Sequence, residues 1–291
     1  MAQVQQFTYG AFNPIAACLV AFLGSFLGLL ATGRARAAHS RGRRTRWLVI
    51  GAFSIGGAGL WLMHFVAMLG FDVPASPVRY DAFLTLVSLL FAVLSAGLGL
   101  QVVGHGRRSR SKTAFAGMLT GVGLLAMHYT GMAAMRLQGT LHFRPWLVAV
   151  SAVVAIGAAT IALWFAVTVR GWAQIAGASA VLSLAFCGMH YLGMAAMDVE
   201  LSTNVRASVG GIRPLVMIVP ITVISAATIL GVALSALQAM TEEEFTDGAT
   251  RPRGGVHTTA SAGRRRPGRR PSPRPVPQPA ADDDLQIASR S

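Results

Sequence analysis

The sequence predicts an all-α, polytopic membrane protein of seven transmembrane helices, with its N-terminus outside and its C-terminus in the cytoplasm. Three observations carry that prediction: scarce charge, long charge-free stretches, and a one-sided distribution of basic residues. Only 12% of the 291 residues are charged, against roughly 25% in soluble domains. With a mean hydropathy of +0.54, the solvent for most of the chain is lipid. About 20 apolar residues are needed to cross a bilayer. Seven charge-free stretches reach that length, at about 9 to 33, 47 to 71, 82 to 104, 113 to 135, 145 to 169, 171 to 197 and 214 to 241.

The basic residues orient the spans. The loop after the first span carries Arg34, Arg36, Arg41, Arg43, Arg44 and Arg46, and the loop after the third carries Arg107, Arg108, Arg110 and Lys112. The positive-inside rule makes those loops cytoplasmic. The alternate loops hold few bases (Arg79, then Arg136 and Arg144, then Arg206 and Arg213) beside Asp72, Asp81, Asp198 and Glu200, and face outward. The N-terminus has no Lys or Arg before Arg34, so it is expected outside and without the positive region of a cleaved signal peptide. A net charge of +14 would suggest nucleic acid if it formed a patch on a folded domain. Here it falls in short loops and the tail, which excludes nucleic acid as a partner and leaves a multi-pass location in the cell inner (plasma) membrane, with the lipid bilayer as the partner.

Two domains are expected: a membrane domain over 1–241 and a tail over 242–291. After Glu242, Glu243 and Glu244 the composition turns to Arg, Pro, Gly, Ser and Ala without apolar periodicity, the signature of a disordered cytoplasmic tail. Its run Arg264, Arg265, Arg266, Arg269, Arg270 and Arg274 suits an anionic lipid surface, and its alternate prolines from Pro271 to Pro279 favour an extended segment.

One motif occurs three times. The copies are Met63-His64-Phe65-Val66-Ala67-Met68-Leu69-Gly70-Phe71, Met127-His128-Tyr129-Thr130-Gly131-Met132-Ala133-Ala134-Met135 and Met189-His190-Tyr191-Leu192-Gly193-Met194-Ala195-Ala196-Met197. The histidines are 64 and 62 residues apart, one helical hairpin each, so three hairpin repeats plus one further helix make up the seven. Each histidine precedes the first charge of its outer loop (Asp72, Arg136, Asp198) by eight positions, which places all three imidazoles roughly 12 Å below the outer rim. His128, Met132 and Met135 stand at i, i+4 and i+7 on one helix face, as do His190, Met194 and Met197, whereas the first copy has Phe71 at the last place. Eight of the twelve methionines fall in the motifs, and Gly131, Gly193 and the alanines beside them let helices approach closely.

Thioethers combined with neutral imidazole suit copper, Cu(I) above all. The expected metal ligands are Met63, His64, Met68, Met127, His128, Met132, Met135, Met189, His190, Met194 and Met197. Haem is the rival cofactor, since facing membrane helices can supply two axial ligands. Zinc would want more imidazole or thiolate, and magnesium or calcium would want oxygen. A single intramembrane His is often only interhelical glue, and a Met beside it gap filler. Three copies at one depth point to function, because intramembrane ionisable groups are costly. Tyr129 and Tyr191 offer hydroxyls to partner the imidazoles, or serve as interfacial anchors. Cys187, one turn before His190, is either a further soft ligand or a small buried hydrophobe. Cys18 and Cys187 both lie in apolar runs, so no disulfide framework is expected. No nucleophile with a base, carboxylate pair or phosphate loop falls in the spans, so no enzymatic activity is expected.

Met127-His128-Tyr129-Thr130 is the tetrapeptide for which the MHYT domain is named, and the span from about 9 to 240 resembles that family of bacterial integral-membrane sensors. The first copy departs from it as Met-His-Phe-Val and the third as Met-His-Tyr-Leu. The resemblance implies a sensory role, a copper site formed by motif Met and His residues, and a response to oxygen, carbon monoxide or nitric oxide. Many relatives continue into a cyclic-dinucleotide enzyme, a kinase or a DNA-binding domain. This tail is too short for one, so a separate cytoplasmic output protein is expected. The alternative is a copper transporter or delivery factor using the same Met/His ladder. A haem-bearing electron carrier is a third reading.

Overall fold

The structure is a computed structural model that describes residue 5, residues 7–74, 76–201 and 210–214, and isolated positions between 216 and 234. The helices and strands among them belong to the unit Met1–Phe245. Most of the expected seventh span and the whole tail from 242 to 291 lie outside the described residues.

The described chain is mostly helical. Helix α1 is Phe12–Ala37, with Arg34 and Arg36 in its last turn, where cations complement the helix dipole. Helix α2, Arg41–Ala52, starts at Ser40, whose hydroxyl accepts from the Arg43 N–H at 3.3 Å. It continues through a π-helical stretch, Phe53–Leu62, into α3, Met63–Met68. Helix α4, Ala82–Gly104, is capped by Asp81, which accepts from the Leu84 N–H at 3.0 Å. Helices α5 (Arg110–Ala133), α6 (Pro145–Thr168, with proline in its first turn) and α7 (Trp172–Ala195) complete the set.

Five helical segments are long and apolar enough to cross a membrane: Phe12–Ala37, Arg41–Met68, Ala82–Gly104, Pro145–Thr168 and Trp172–Ala195. Helix α5 fills the fourth expected span with 24 residues, about 36 Å at 1.5 Å per residue. It is less apolar because Arg110, Lys112, His128 and its glycines and threonines dilute the leucines and alanines. Neighbouring segments pack in a closed ring, in the order α1, π stretch, α4, α5, α6, α7 and back to α1. The three motif helices α3, α5 and α7 alternate around that ring and touch one another in pairs at its centre. Aromatic and aliphatic residues such as Phe83, Leu94, Val153 and Leu184 are exposed on the outer surface of the ring, as a lipid-facing surface requires.

The π stretch is wider than an α-helix and resets the azimuth of the turns after it, His64 included. Its glycines make it possible, because α1 lies almost backbone to backbone on it. A Cβ on Gly24 would stand 2.2 Å from the Gly59 nitrogen.

An all-α expectation misses four short strands. β1 (Arg79–Tyr80) pairs antiparallel with β2 (Met135–Arg136), and β3 (Gly139–Phe143) with β4 (Met197–Leu201). The loops between spans are long enough to pair, and peptide groups at the membrane rim must find partners. β2 and β4 each begin two residues after a motif helix ends. Ion pairs staple these strands. Arg144 donates two bonds of 2.7 Å to both carboxylate oxygens of Asp198, and the Arg136 Nε donates to Asp81 Oδ2 at 3.2 Å.

The Asp198 carboxyl sits below its ordinary value of 3.8, chiefly because Arg144 donates to it. That of Asp81 is lowered first by the Leu84 N–H and then by Arg136. A depressed folded value means the stabilisation is complete above the ordinary carboxylate range and fades as pH falls through the folded value. The protection of β3 and β4 amides, taken relative to the intrinsic exchange rate at each pH, is therefore expected to be flat from neutrality to about pH 4 and to fall below it. Asp198→Asn should already show the lowered protection at pH 7. Equal acid sensitivity in the variant would rule the ion pair out as the cause.

Candidate metal centre

Each motif places its histidine in the last turns of its helix: His64 in α3, His128 in α5 and His190 in α7. These helix ends are held from outside. On the α3 side, Trp61 Nε1 donates to Ser88 Oγ of α4 at 3.0 Å, and Asn13 Nδ2 of α1 to the Val66 carbonyl at 3.2 Å. On the α5 side, the Tyr129 hydroxyl meets Ser151 Oγ of α6 at 2.8 Å.

Inside this frame the three imidazoles meet. His64 Nδ1 lies 3.0 Å from His190 Nδ1 and 3.2 Å from His128 Nδ1. One nitrogen from each of the three rings lies within 4.8 Å of the other two. The rings stand nearly perpendicular, at 82°, 84° and 89°, with centroids 4.9 to 5.2 Å apart. All three are buried.

Hydrogen bonding alone does not account for this arrangement. A ring nitrogen has one in-plane site, either a proton or a lone pair, yet His64 Nδ1 faces two partners. Among the described residues, the outer nitrogens His64 Nε2 and His128 Nε2 have no hydrogen-bond partner. Interhelical hydrogen bonds in membranes contribute about 0.6 kcal/mol each. An unsatisfied buried polar atom costs about 1–3 kcal/mol, so as packing glue the cluster is a net loss. As a ligand set it is well formed. Metal–imidazole bonds of about 2.0–2.1 Å at tetrahedral angles separate the nitrogens by about 3.3 Å, close to the 3.0 and 3.2 Å found.

Two glycines make the convergence possible. A Cβ on Gly131 would stand 2.5 Å from His64 Nε2, and one on Gly193 would stand 2.1 Å from His128 Nε2. Each imidazole thus lies in the notch left by the glycine three residues past the next motif histidine. The equivalent place in the first copy is Ala67. With backbone on that side, the two outer nitrogens lack the acceptor that usually orients a metal-bound histidine.

The eleven expected ligands separate into groups. The three histidines converge. Met63, Met68, Met127, Met132, Met189 and Met194 are buried in the same helix ends. Met135 and Met197 depart from the expected stripe: α5 and α7 stop at Ala133 and Ala195, so these two residues lie in strands β2 and β4. A helical i+7 relation fails because the strand pairing at the rim takes over the backbone. Tyr129 is bonded to Ser151, away from the imidazoles, and the Tyr191 hydroxyl has no hydrogen-bond partner. Cys187 pairs with Cys18 of α1, Sγ to Sγ at 3.0 Å, with both thiols free. Sequence reasoning missed that pairing, and it gave Gly131 and Gly193 only a general packing role. Their recurrence three residues after His128 and His190 was the available signal.

Comparison with known proteins agrees with this architecture. Residues 57–116 and 121–178 match the family model MHYT, described as a bacterial signalling protein N-terminal repeat. The matched stretches contain His64 and His128, and the third motif lies just past them. The bifunctional diguanylate cyclase/cyclic di-GMP phosphodiesterase MucR of Pseudomonas aeruginosa is 39% identical over 233 residues, covering 77% of this chain and 34% of MucR. The cyclic di-GMP phosphodiesterase NbdA of the same organism is 38% identical over 200 residues, covering 67% of this chain and 25% of NbdA. The signaling protein YkoW of Bacillus subtilis is 29% identical over 163 residues, covering 53% of this chain and 20% of YkoW. The chain thus spans about a third or less of these relatives. No solved structure matches it.

The glycine notches are directly testable. Gly131→Ala and Gly193→Ala should each lower stability by about 1–3 kcal/mol through overpacking, read as a fall in the thermal midpoint. Gly177→Ala and Gly188→Ala, with nothing within 4 Å of the added carbon, should leave it unchanged or slightly raised. Four equal effects would mean that the notches do not seat the imidazoles.

Proposed function

Residues 57–116 and 121–178 match MHYT repeats and the chain belongs to that family of bacterial signalling proteins, and from that premise we propose that it is a membrane sensor whose His64, His128 and His190 hold a copper ion. The observation that carries this reading is the meeting of three buried imidazole nitrogens, two edges of which measure 3.0 and 3.2 Å. The motif methionines Met63, Met68, Met127, Met132, Met189 and Met194 are buried in the same helix ends, and soft donors of that kind favour copper over zinc. Haem suits the arrangement less well. Its two axial nitrogens stand about 4 Å apart, twice an ordinary metal–imidazole bond, with a porphyrin plane between them.

A copper ion at this place supplies a coordination position for a diatomic gas: oxygen, carbon monoxide or nitric oxide. The protein's own part is to hold three donors on three separate helices, so a change in ligation pulls on α3, α5 and α7 together. The positive-inside rule puts the strand-bearing end outside and the arginine-rich end in the cytoplasm, so the site lies near the outer face and the response is read inside. The bundle itself senses and does not catalyse. The enzymatic activities in the names of MucR and NbdA belong to proteins of which this chain matches 34% and 25%. Interruption of the methionine stripe at Met135 and Met197 favours sensing over the passage or delivery of copper.

Elemental analysis and a visible spectrum of the detergent-solubilised protein test this reading, for the wild type and for His128→Ala with His190→Ala. The expected result is copper near one per chain, lost in the double variant, with a spectrum that responds to carbon monoxide or nitric oxide. Zinc in the same stoichiometry would reassign the metal. No bound metal even after copper loading would overturn the site.

A further inference from the structure

The end of the bundle opposite the strands carries Arg34, Arg36, Arg41, Arg43, Arg44, Arg46, Arg107, Arg108, Arg110, Lys112 and Arg170. All four carboxylates among the described residues, Asp72, Asp81, Asp198 and Glu200, sit at the other end, beside or within the strands. A basic end of this kind attracts an anion from solution or the membrane.

One cavity is shaped to take it. A partly open cavity of about 250 Å³ lies between α1, α2, the α4–α5 connection and the end of α6, with Arg36, Arg44, Arg108, Leu48, Leu100 and Val103 among its lining residues. Arg36 is anchored, because its guanidinium donates to the carbonyls of Ala166 and Val169 at the C-terminal end of α6. Arg44 projects from α2, and Arg108 from the segment between α4 and α5. With the Arg36 fork committed to those carbonyls, the Arg44 and Arg108 forks, arriving from two separate elements, suit the several oxygens of a phosphate. The apolar part of the lining leaves room for whatever the phosphate esterifies.

We propose that this cavity is a binding site for a phosphate group, held by Arg44 and Arg108 with Arg36 behind them, and that its occupant ties together the basic ends of α1, α2, α4, α5 and α6. The site is independent of the metal centre. Its ligand is the headgroup of an anionic phospholipid or a free phosphate. Bridging several helices at the end where output is read, it would set how firmly those helices are held together.

The test uses the full chain purified in lipid-free detergent, with its thermal midpoint followed against added inorganic phosphate and, separately, dihexanoyl phosphatidylglycerol. The wild type is expected to be stabilised in a saturable way. Arg44→Gln with Arg108→Gln should raise the half-saturating concentration about tenfold or more. Arg41→Gln with Arg46→Gln, which removes the same charge outside the cavity, should shift it by about twofold or less, as expected for screened surface charges. Arg108→Gln alone, outside any helix, carries the test if the first pair does not fold. A response to both ligands identifies the phosphate group itself, to the lipid alone a headgroup, and to inorganic phosphate alone a soluble anion. Failure of both ligands to stabilise the wild type, or equal weakening by the two double variants, would overturn the site.

Discussion

Three neutral imidazoles brought to one point inside an apolar bundle cannot satisfy one another, and the rest of this structure is arranged around that constraint. Each ring offers one in-plane site at Nδ1, and the three Nδ1 atoms face inward with two separations of 3.0 and 3.2 Å. In lipid there is no water to absorb the mismatch. The helices hold the rings there against that cost: α3 is pinned to α1 and α4 through Asn13 and Trp61, and α5 to α6 through Tyr129. The clustering costs stability, and the copper ion proposed above, shared by the three donors, would offset it.

Close approach is the second requirement, and glycine supplies it in two ways. In the π stretch it lets α1 lie against the backbone of the second span, and the wider turn sets the direction in which His64 leaves α3. At Gly131 and Gly193 it leaves the notches that seat the neighbouring imidazoles. The arrangement is nearly threefold but not closed: two copies of the motif have glycine at this place and the first has Ala67. The His64 contacts, short to both partners, share the same asymmetry.

The two ends of the bundle solve opposite electrostatic problems. At the strand end, arginines and aspartates neutralise each other locally through Arg144–Asp198 and Arg136–Asp81, which stiffens the segments next to the motif helices. At the basic end no described carboxylate is at hand, and Arg36 turns to the terminal carbonyls of α6. The motif helices thus have outer ends stapled by ion pairs and inner ends rich in arginine. That polarity suits a signalling element read from the inside.

Residue order alone indicates the solvent, the long apolar segments and the shared layer of the motif histidines. Scarce charge and apolar runs require lipid. Asymmetric arginines assign the inner face by rule, and three motifs eight residues before the outer charges put His64, His128 and His190 in one layer. Each of these is a local property, readable because helical rise and membrane thickness are constant. That α3, α5 and α7 alternate in a ring and point inward emerges only on folding, since helix order around a bundle depends on packing between segments distant in sequence. The end of the methionine stripe at Ala133 and Ala195 belongs to the same class, because helix length there is set by strand pairing with other loops, which the i, i+4, i+7 pattern of Met132 and Met135 cannot register. So do the Cys18–Cys187 pairing and the arginine-lined cavity, which join residues 169 and 72 positions apart. Spacing along one helix specifies a face, but what that face meets is settled by the packing of all the helices together.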